Sequence, residues 1–232
     1  MDKELTPTFF DVATPVLAVI TYLSAFKNGK PTCDRYLINY LLYLLTSLSL
    51  YIASMKKVNI EVEGPLLLLM IFGLIGLSLI LVKTDSTLIK HVVWFLILLI
   101  LSCLTKRFAT LDKDVFEDLM VKLMVIIVVC IALAISFQQY ITVSMGLALL
   151  GGLIFVIIFR LLDHFYFKKY SSLISQITIF LFSGFIIYDT KEVMEYAKKC
   201  KTMTKVDYLD NVSNMFMNVL NIFSSLVNLA ED

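Results

Sequence analysis

Polar side chains recur at positions 207, 211, 214, 218, 221, 225 and 228, in alternating steps of four and three. The stretch that carries them (NVSNMFMNVLNIFSSLVN, 211–228) is otherwise apolar enough to enter a membrane. A repeat near 3.5 residues places all seven on one face of a helix. An amide turned toward lipid would lose its hydrogen bonds to water, so this face is expected to point into a helix bundle or a wet cavity. The opposite face, with Met215, Phe216, Val219, Ile222, Phe223 and Leu226, can meet lipid or neighbouring helices.

The rest of the chain is organised as apolar blocks at about 36–54, 64–83, 87–105, 116–137, 141–161 and 171–189, with 207–228 as the seventh. Several reach the length of about 20 residues that crosses a hydrocarbon core at 1.5 Å per residue. The runs are continuous rather than alternating, which excludes a barrel and leaves helices that satisfy their own backbone in lipid. The expected fold is all-α: a polytopic membrane helix bundle of seven transmembrane helices. Residues 9–26 are also mostly apolar but contain Asp11 and Pro15. They are read either as an eighth span or, in preference, as a helix lying in or partly inserted at the interface. The chain then divides into an N-terminal segment 1–35, a transmembrane domain 36–228 and a short acidic tail 229–232. Connections of roughly 4–17 residues leave no room for a soluble domain, and the longest, around 190–206, is polar and basic.

Composition agrees. The 232 residues are 59% hydrophobic and 17% charged, against roughly a quarter charged in soluble domains. A net charge of +1 gives no case for nucleic acid as a partner. Cys33, Cys103, Cys130 and Cys200 are scattered without a CxxC or Cys/His cluster, so neither a metal site nor a disulfide framework is expected. The N-terminus lacks the basic and short apolar regions of a cleaved signal peptide. Lys and Arg near the span ends favour, by a small margin, a cytoplasmic N-terminus, with Lys27, Lys30, Arg35, Lys83, Lys90 and the lysines of 191–205 on that side.

Ionisable residues inside spans are functional suspects because lipid makes them costly. Lys122 is close enough to an interface to snorkel. Glu117 and Asp118 suit a helix N-terminus. His91 and His164 lie near interfaces without an evident partner in sequence. Asp189 closes the run TIFLFSGFIIYD. It reads either as an interfacial acid beside Lys191 or as a carboxylate facing a polar cavity. The asparagine face reads either as interhelical glue or as a lining of amide oxygens suited to hard cations such as Ca²⁺. No nucleophile–base or metal constellation appears, so an enzyme is not expected.

The segments FSGFIIYDT (182–190) and DYLDNVSNMFMNVLNIF (207–223) resemble the transmembrane Bax-inhibitor-motif family, which includes Bax inhibitor, the lifeguard proteins and the Golgi anti-apoptotic protein. The likeness extends more weakly upstream through EVEGPLLLLM (61–70) to about residue 34. It implies a Ca²⁺-permeable leak of an intracellular membrane, endoplasmic reticulum or Golgi before plasma membrane, that lowers store Ca²⁺ and suppresses apoptosis. Ca²⁺ would be the transported ion, with Asp189 a contact for it. No other cofactor is expected, and the partners are the lipid bilayer and host cell-death regulators. The family mechanism rests on two facing aspartates that share a proton. Asp189 occupies the first position, while the second holds Asn218, which cannot titrate. Asn214, Asn221 and Asp207 complete the expected ion pathway. Lys83 is placed as a closed-state lock. The third span, KHVVWFLILLILSCLTK, lacks the acid that family members often carry there. Two competing readings are a membrane interaction protein that regulates cell death without conducting ions, and a seven-span receptor or transporter. The compact size, the low count of 8 glycines and the Ile/Lys/Asn-rich usage also fit a virus-encoded member.

Overall fold

A computed structural model describes residues 9–58, 60, 62–203 and 205–231. The first eight residues of the expected N-terminal segment and the last residue of the acidic tail lie outside them. Eight α-helices account for most of the described chain: α1 (Phe9–Ala25), α2 (Tyr36–Lys57), α3 (Gly64–Lys83), α4 (Thr87–Leu104), α5 (Lys113–Ser136), α6 (Val143–Leu162), α7 (Ser171–Lys199) and α8 (Leu209–Glu231). Among the described residues, six of these helices, α2 to α7, are long and apolar enough to cross a membrane. The protein is therefore all-α and polytopic, as the apolar blocks predict. α8 has the length for a seventh crossing at 23 residues, about 34 Å at 1.5 Å per residue, but its asparagines dilute its apolarity. α1, at 17 residues, spans about 25 Å.

The chain divides into two compact units, Met1–Leu111 with Lys199–Ser213, and Asp112–Lys198 with Asn214–Asp232.

In the first unit, α1 runs antiparallel along α2, joined by small polar side chains. Thr14 Oγ1 lies 2.8 Å from Ser49 Oγ, Thr21 Oγ1 lies 2.8 Å from Thr46 Oγ1, and Ser24 Oγ donates to Asn39 Oδ1 at 2.5 Å. This packing sets α1 alongside α2. Serine and threonine suit the role because they are small enough for close approach and find their partners across the helix pair. α4 packs on α2 in the same way: Trp94 Nε1 donates to Ser47 Oγ at 2.9 Å and Ser102 Oγ to the Tyr51 carbonyl at 3.2 Å. α1 ends in a two-residue hairpin, Phe26–Lys27 against Lys30–Pro31. Asn28 and Gly29 both have positive φ, 53° and 73°, which is the backbone a tight hairpin needs and which Asn-Gly tolerates best.

One expectation is overturned here. Cys33 and Cys200 form a disulfide across 167 residues of sequence, tying the segment before α2 to the turn after α7. Scattered spacing hid it, because pairing is set by the fold rather than by local motif. Only Cys103 and Cys130 are free and buried among the described residues. Cys33→Ser, or reduction, is expected to cost about 2–5 kcal/mol of stability. Thermal unfolding of detergent-solubilised protein with and without reductant measures it, and an unchanged midpoint would show the bond to be dispensable.

In the second unit, α6 and α7 approach closely at glycines. A Cβ on Gly184 would stand 2.6 Å from Leu149 Cδ2, and one on Gly146 would stand 2.9 Å from the Tyr188 ring. α6 runs on into a π-helical turn, Asp163–Phe167. The buried Asp163 carboxylate accepts from the Lys169 and Tyr170 amides at 3.1 and 2.9 Å, fixing the two residues that lead into α7. α7 is longer than its apolar block. Residues 190–199, expected as connection, continue the helix. They are rich in Lys, Glu and Ala without Gly or Pro, and Lys191 pairs with Glu195 one turn on at 3.2 Å. The apolar face of α8 is buried at Met215, Phe216, Val219, Ile222, Phe223 and Leu226, so it packs against protein and not lipid. Phe116 meets Phe223 edge-on at 5.7 Å.

Candidate functional site

Within the second unit Asn218 of α8 meets α7, while Asn214 a turn before it is exposed. Asn214, Asn218 and Asn221 follow at steps of four and three, so their amides rise along one line. Asn218 is 7% exposed, and its Nδ2 donates to Asp189 Oδ2 at 2.7 Å. Asp189 lies inside α7 and not at its end, because ten helical residues follow it. The carboxylate is thus held on a rigid, continuous helix, with its neighbour Thr190 hydroxyl donating back to the Ile186 carbonyl at 2.6 Å.

These residues border a cavity of about 530 Å³. Asp189, Asn214, Asn218 and Asn221 supply its polar wall, together with Arg160 of α6. Val156, Phe182 and Phe185 supply apolar wall. The arrangement is a carboxylate and several amide oxygens facing an aqueous-sized space between membrane helices. Such oxygens can replace part of the hydration shell of a hard cation, although Ca²⁺ takes six to eight of them in a tight site. Among the described residues no group of three or more His, Cys, Asp or Glu gathers to hold a metal ion. Asn221 Nδ2 donates to the Met217 carbonyl of its own helix at 2.7 Å, a bond that engages the amide's donor and not its oxygen.

Two of the residues named from sequence belong to the first unit. Asp207 caps α8, its Oδ1 accepting from the Leu209 amide at 3.0 Å. Its Oδ2 accepts from Lys90 Nζ at 2.5 Å, and Lys90 also reaches Asp210 Oδ1 at 2.6 Å. Lys90 is 4% exposed. It is the buried cation that sequence reasoning passed over, although its place four residues into α4 marks it as costly in lipid. Around it Tyr208 stacks between Tyr36 and Tyr43, at centroid distances of 4.7 and 5.2 Å. Tyr208 Oη accepts from Asn39 Nδ2 at 3.0 Å and donates to the Thr32 carbonyl. Asn211, the second member of the polar stripe, donates to Tyr36 Oη at 3.0 Å. Lys83 ends α3 and is exposed. Outside the spans, the exposed Asp85 carboxyl is held below its usual range by the hydrogen bond and charge of Lys205, a surface pair of small energetic weight. Sequence reasoning missed Arg160; its place four residues after Val156, one helical turn on, is the signal that could have put it on the same wall.

The family model described as Inhibitor of apoptosis-promoting Bax1 matches residues 33–231. An uncharacterized membrane protein of Vibrio cholerae serotype O1 is 32% identical over 82 residues, which cover 35% of this chain and 34% of that protein. The chain thus matches about one third of the length of that relative. No solved structure gives a significant match.

Proposed function

Because this chain belongs to the family of inhibitors of apoptosis-promoting Bax1, we propose that it is a Ca²⁺-permeable leak of an intracellular membrane, endoplasmic reticulum or Golgi, that lowers store Ca²⁺ and so opposes apoptosis. The observation that supports this most is the Asp189 carboxylate, paired with Asn218 on the wall of a cavity between membrane helices. A carboxylate at such a position is costly and is kept where it serves an ion path. The transported ion is the substrate, drawn by Asp189 and passed along amide oxygens of α8.

In this reading Asn218 sets the response to pH. Two adjacent carboxylates cannot both ionise cheaply and so share a proton. A carboxylate beside an amide has no such partner. Ca²⁺ flux through the purified protein in liposomes is therefore expected to change between pH 6 and 8 no more steeply than the titration of one carboxylate allows, about tenfold per pH unit. A steeper switch across that interval would defeat the assignment of Asn218. A second reading is a membrane protein that regulates death through partners alone, in which the pairing of Asn218 with Asp189 only joins two helices. Asn218→Leu discriminates: it changes flux under the first reading and only stability or partner binding under the second.

A further inference from the structure

The first unit holds a second cavity, of about 690 Å³, between α1, α2 and α4. Its polarity changes with depth. At the end where α4 begins, Thr87 and His91 line it with Tyr43, whose Oη lies 2.8 Å from His91 Nε2. Farther in, the hydroxyls of Thr21, Thr46 and Ser47 line it but are engaged with each other and with Trp94, and Ala18, Leu50, Trp94 and Leu98 supply the apolar wall. From Thr87 to Leu98 is eleven residues of helix, about 16 Å, or half of the roughly 30 Å hydrocarbon core. The cavity is therefore one leaflet deep, with its polar end at the interface.

Three further observations narrow the occupant. Among the described residues that line the cavity none is Lys, Arg, Asp or Glu, so a charged head group would enter unpaired at high cost. Leu88 and Tyr22 at its rim are exposed, at 74% and 57%, and so are Gly29 and Ser86 of the flanking loops, so the rim has both an apolar and a loop side, as an opening at the membrane interface requires. Five aromatic rings, of Tyr22, Phe26, Tyr43, Trp94 and Phe95, are among the lining residues. Flat faces favour a rigid ring system, which loses little conformational freedom on binding, over a flexible acyl chain. We propose that this cavity binds one sterol-class amphiphile. Its hydroxyl lies toward the Tyr43–His91 pair, where the phenolic oxygen has acceptor capacity to spare, and its rings lie along Trp94 and Leu98. The volume falls within the range of small-ligand sites. This assignment is independent of the Asp189 cavity and of ion conduction.

Trp94 is the only tryptophan of the chain, so its fluorescence reports on this cavity alone. The test is energy transfer from Trp94 to dehydroergosterol in phosphatidylcholine vesicles that carry the purified protein. Transfer is expected to saturate as the sterol fraction rises. Cholesterol should reverse it, and cholesteryl acetate, which lacks the hydroxyl, should not. Ala18→Phe, which fills the apolar end, should raise the half-saturating fraction at least about tenfold, whereas Val128→Phe on the exposed face of α5 should leave it unchanged. If Ala18→Phe alters Trp94 emission without sterol, Leu50→Phe on the facing wall takes its place. Transfer that rises linearly and equally in wild type and the filled variant would overturn the site. Equal reversal by the acetate would overturn the hydroxyl recognition.

Discussion

Replacing Lys90 with Met is expected to destabilise the protein by about 3–5 kcal/mol, the cost of removing one member of a buried ion pair. The ammonium is 5% exposed at the side chain and Asp207 is 16% exposed, whereas Asp210 is 52% exposed. Water screens the second contact, so most of the effect comes from Asp207. That carboxylate cannot move away to find solvent, because Oδ1 is held by the first amide of α8 and its backbone carbonyl by Tyr36 Oη at 3.0 Å. The loss of its cation is felt at the α8 N-terminus and in the Tyr36–Tyr208–Tyr43 stack beside it. The double substitution Lys90→Met with Asp207→Asn should recover most of the loss, since Asn still caps a helix and needs no counter-charge. Thermal unfolding of the two single variants and the double variant gives the coupling directly. An unchanged midpoint for Lys90→Met would show that the pair is solvated.

Much of this architecture is legible in the sequence, and the limits of that legibility are physical. Long apolar blocks mark α2 to α7 because lipid demands helices of a set length. The four-three stripe gives the face of α8 that turns to Asp189, since helical spacing is a local property. Long-range pairings are the part that spacing cannot carry. Cys33 and Cys200 stand far apart in sequence, and only the fold places the start of α2 beside the end of α7. Lys90 looks like one more interfacial lysine until Asp207 and Asp210 are seen on either side of it. The continuation of α7 past Asp189 was obscured by a change in composition: the helix leaves its apolar stretch but keeps helix-forming residues. That continuation matters for function, because it moves Asp189 from a helix end into the interior of a rigid element. The stripe itself proved to be divided in role. Asp207 and Asn211 build the first unit, while Asn214, Asn218 and Asn221 line the cavity of the second.

The second large effect concerns Asp189. A divalent cation 4 Å from a carboxylate gains about 8 kcal/mol at an effective dielectric of about 20. Asp189→Asn removes that attraction and keeps the size and hydrogen-bonding capacity of the side chain, so helix packing beside Asn218 is preserved. Forfeiting even a fifth of the attraction at the highest barrier of the path would slow transit about tenfold. The variant separates ion conduction from any role in partner binding, because it changes charge without changing shape.

The decisive measurement is Ca²⁺ efflux from liposomes containing purified wild-type protein, with Asp189→Asn and protein-free liposomes in parallel. Wild type is predicted to release Ca²⁺ above the protein-free rate, and Asp189→Asn to fall at least about tenfold toward background. Wild-type efflux at the protein-free rate, or equal efflux through wild type and Asp189→Asn, would contradict the account.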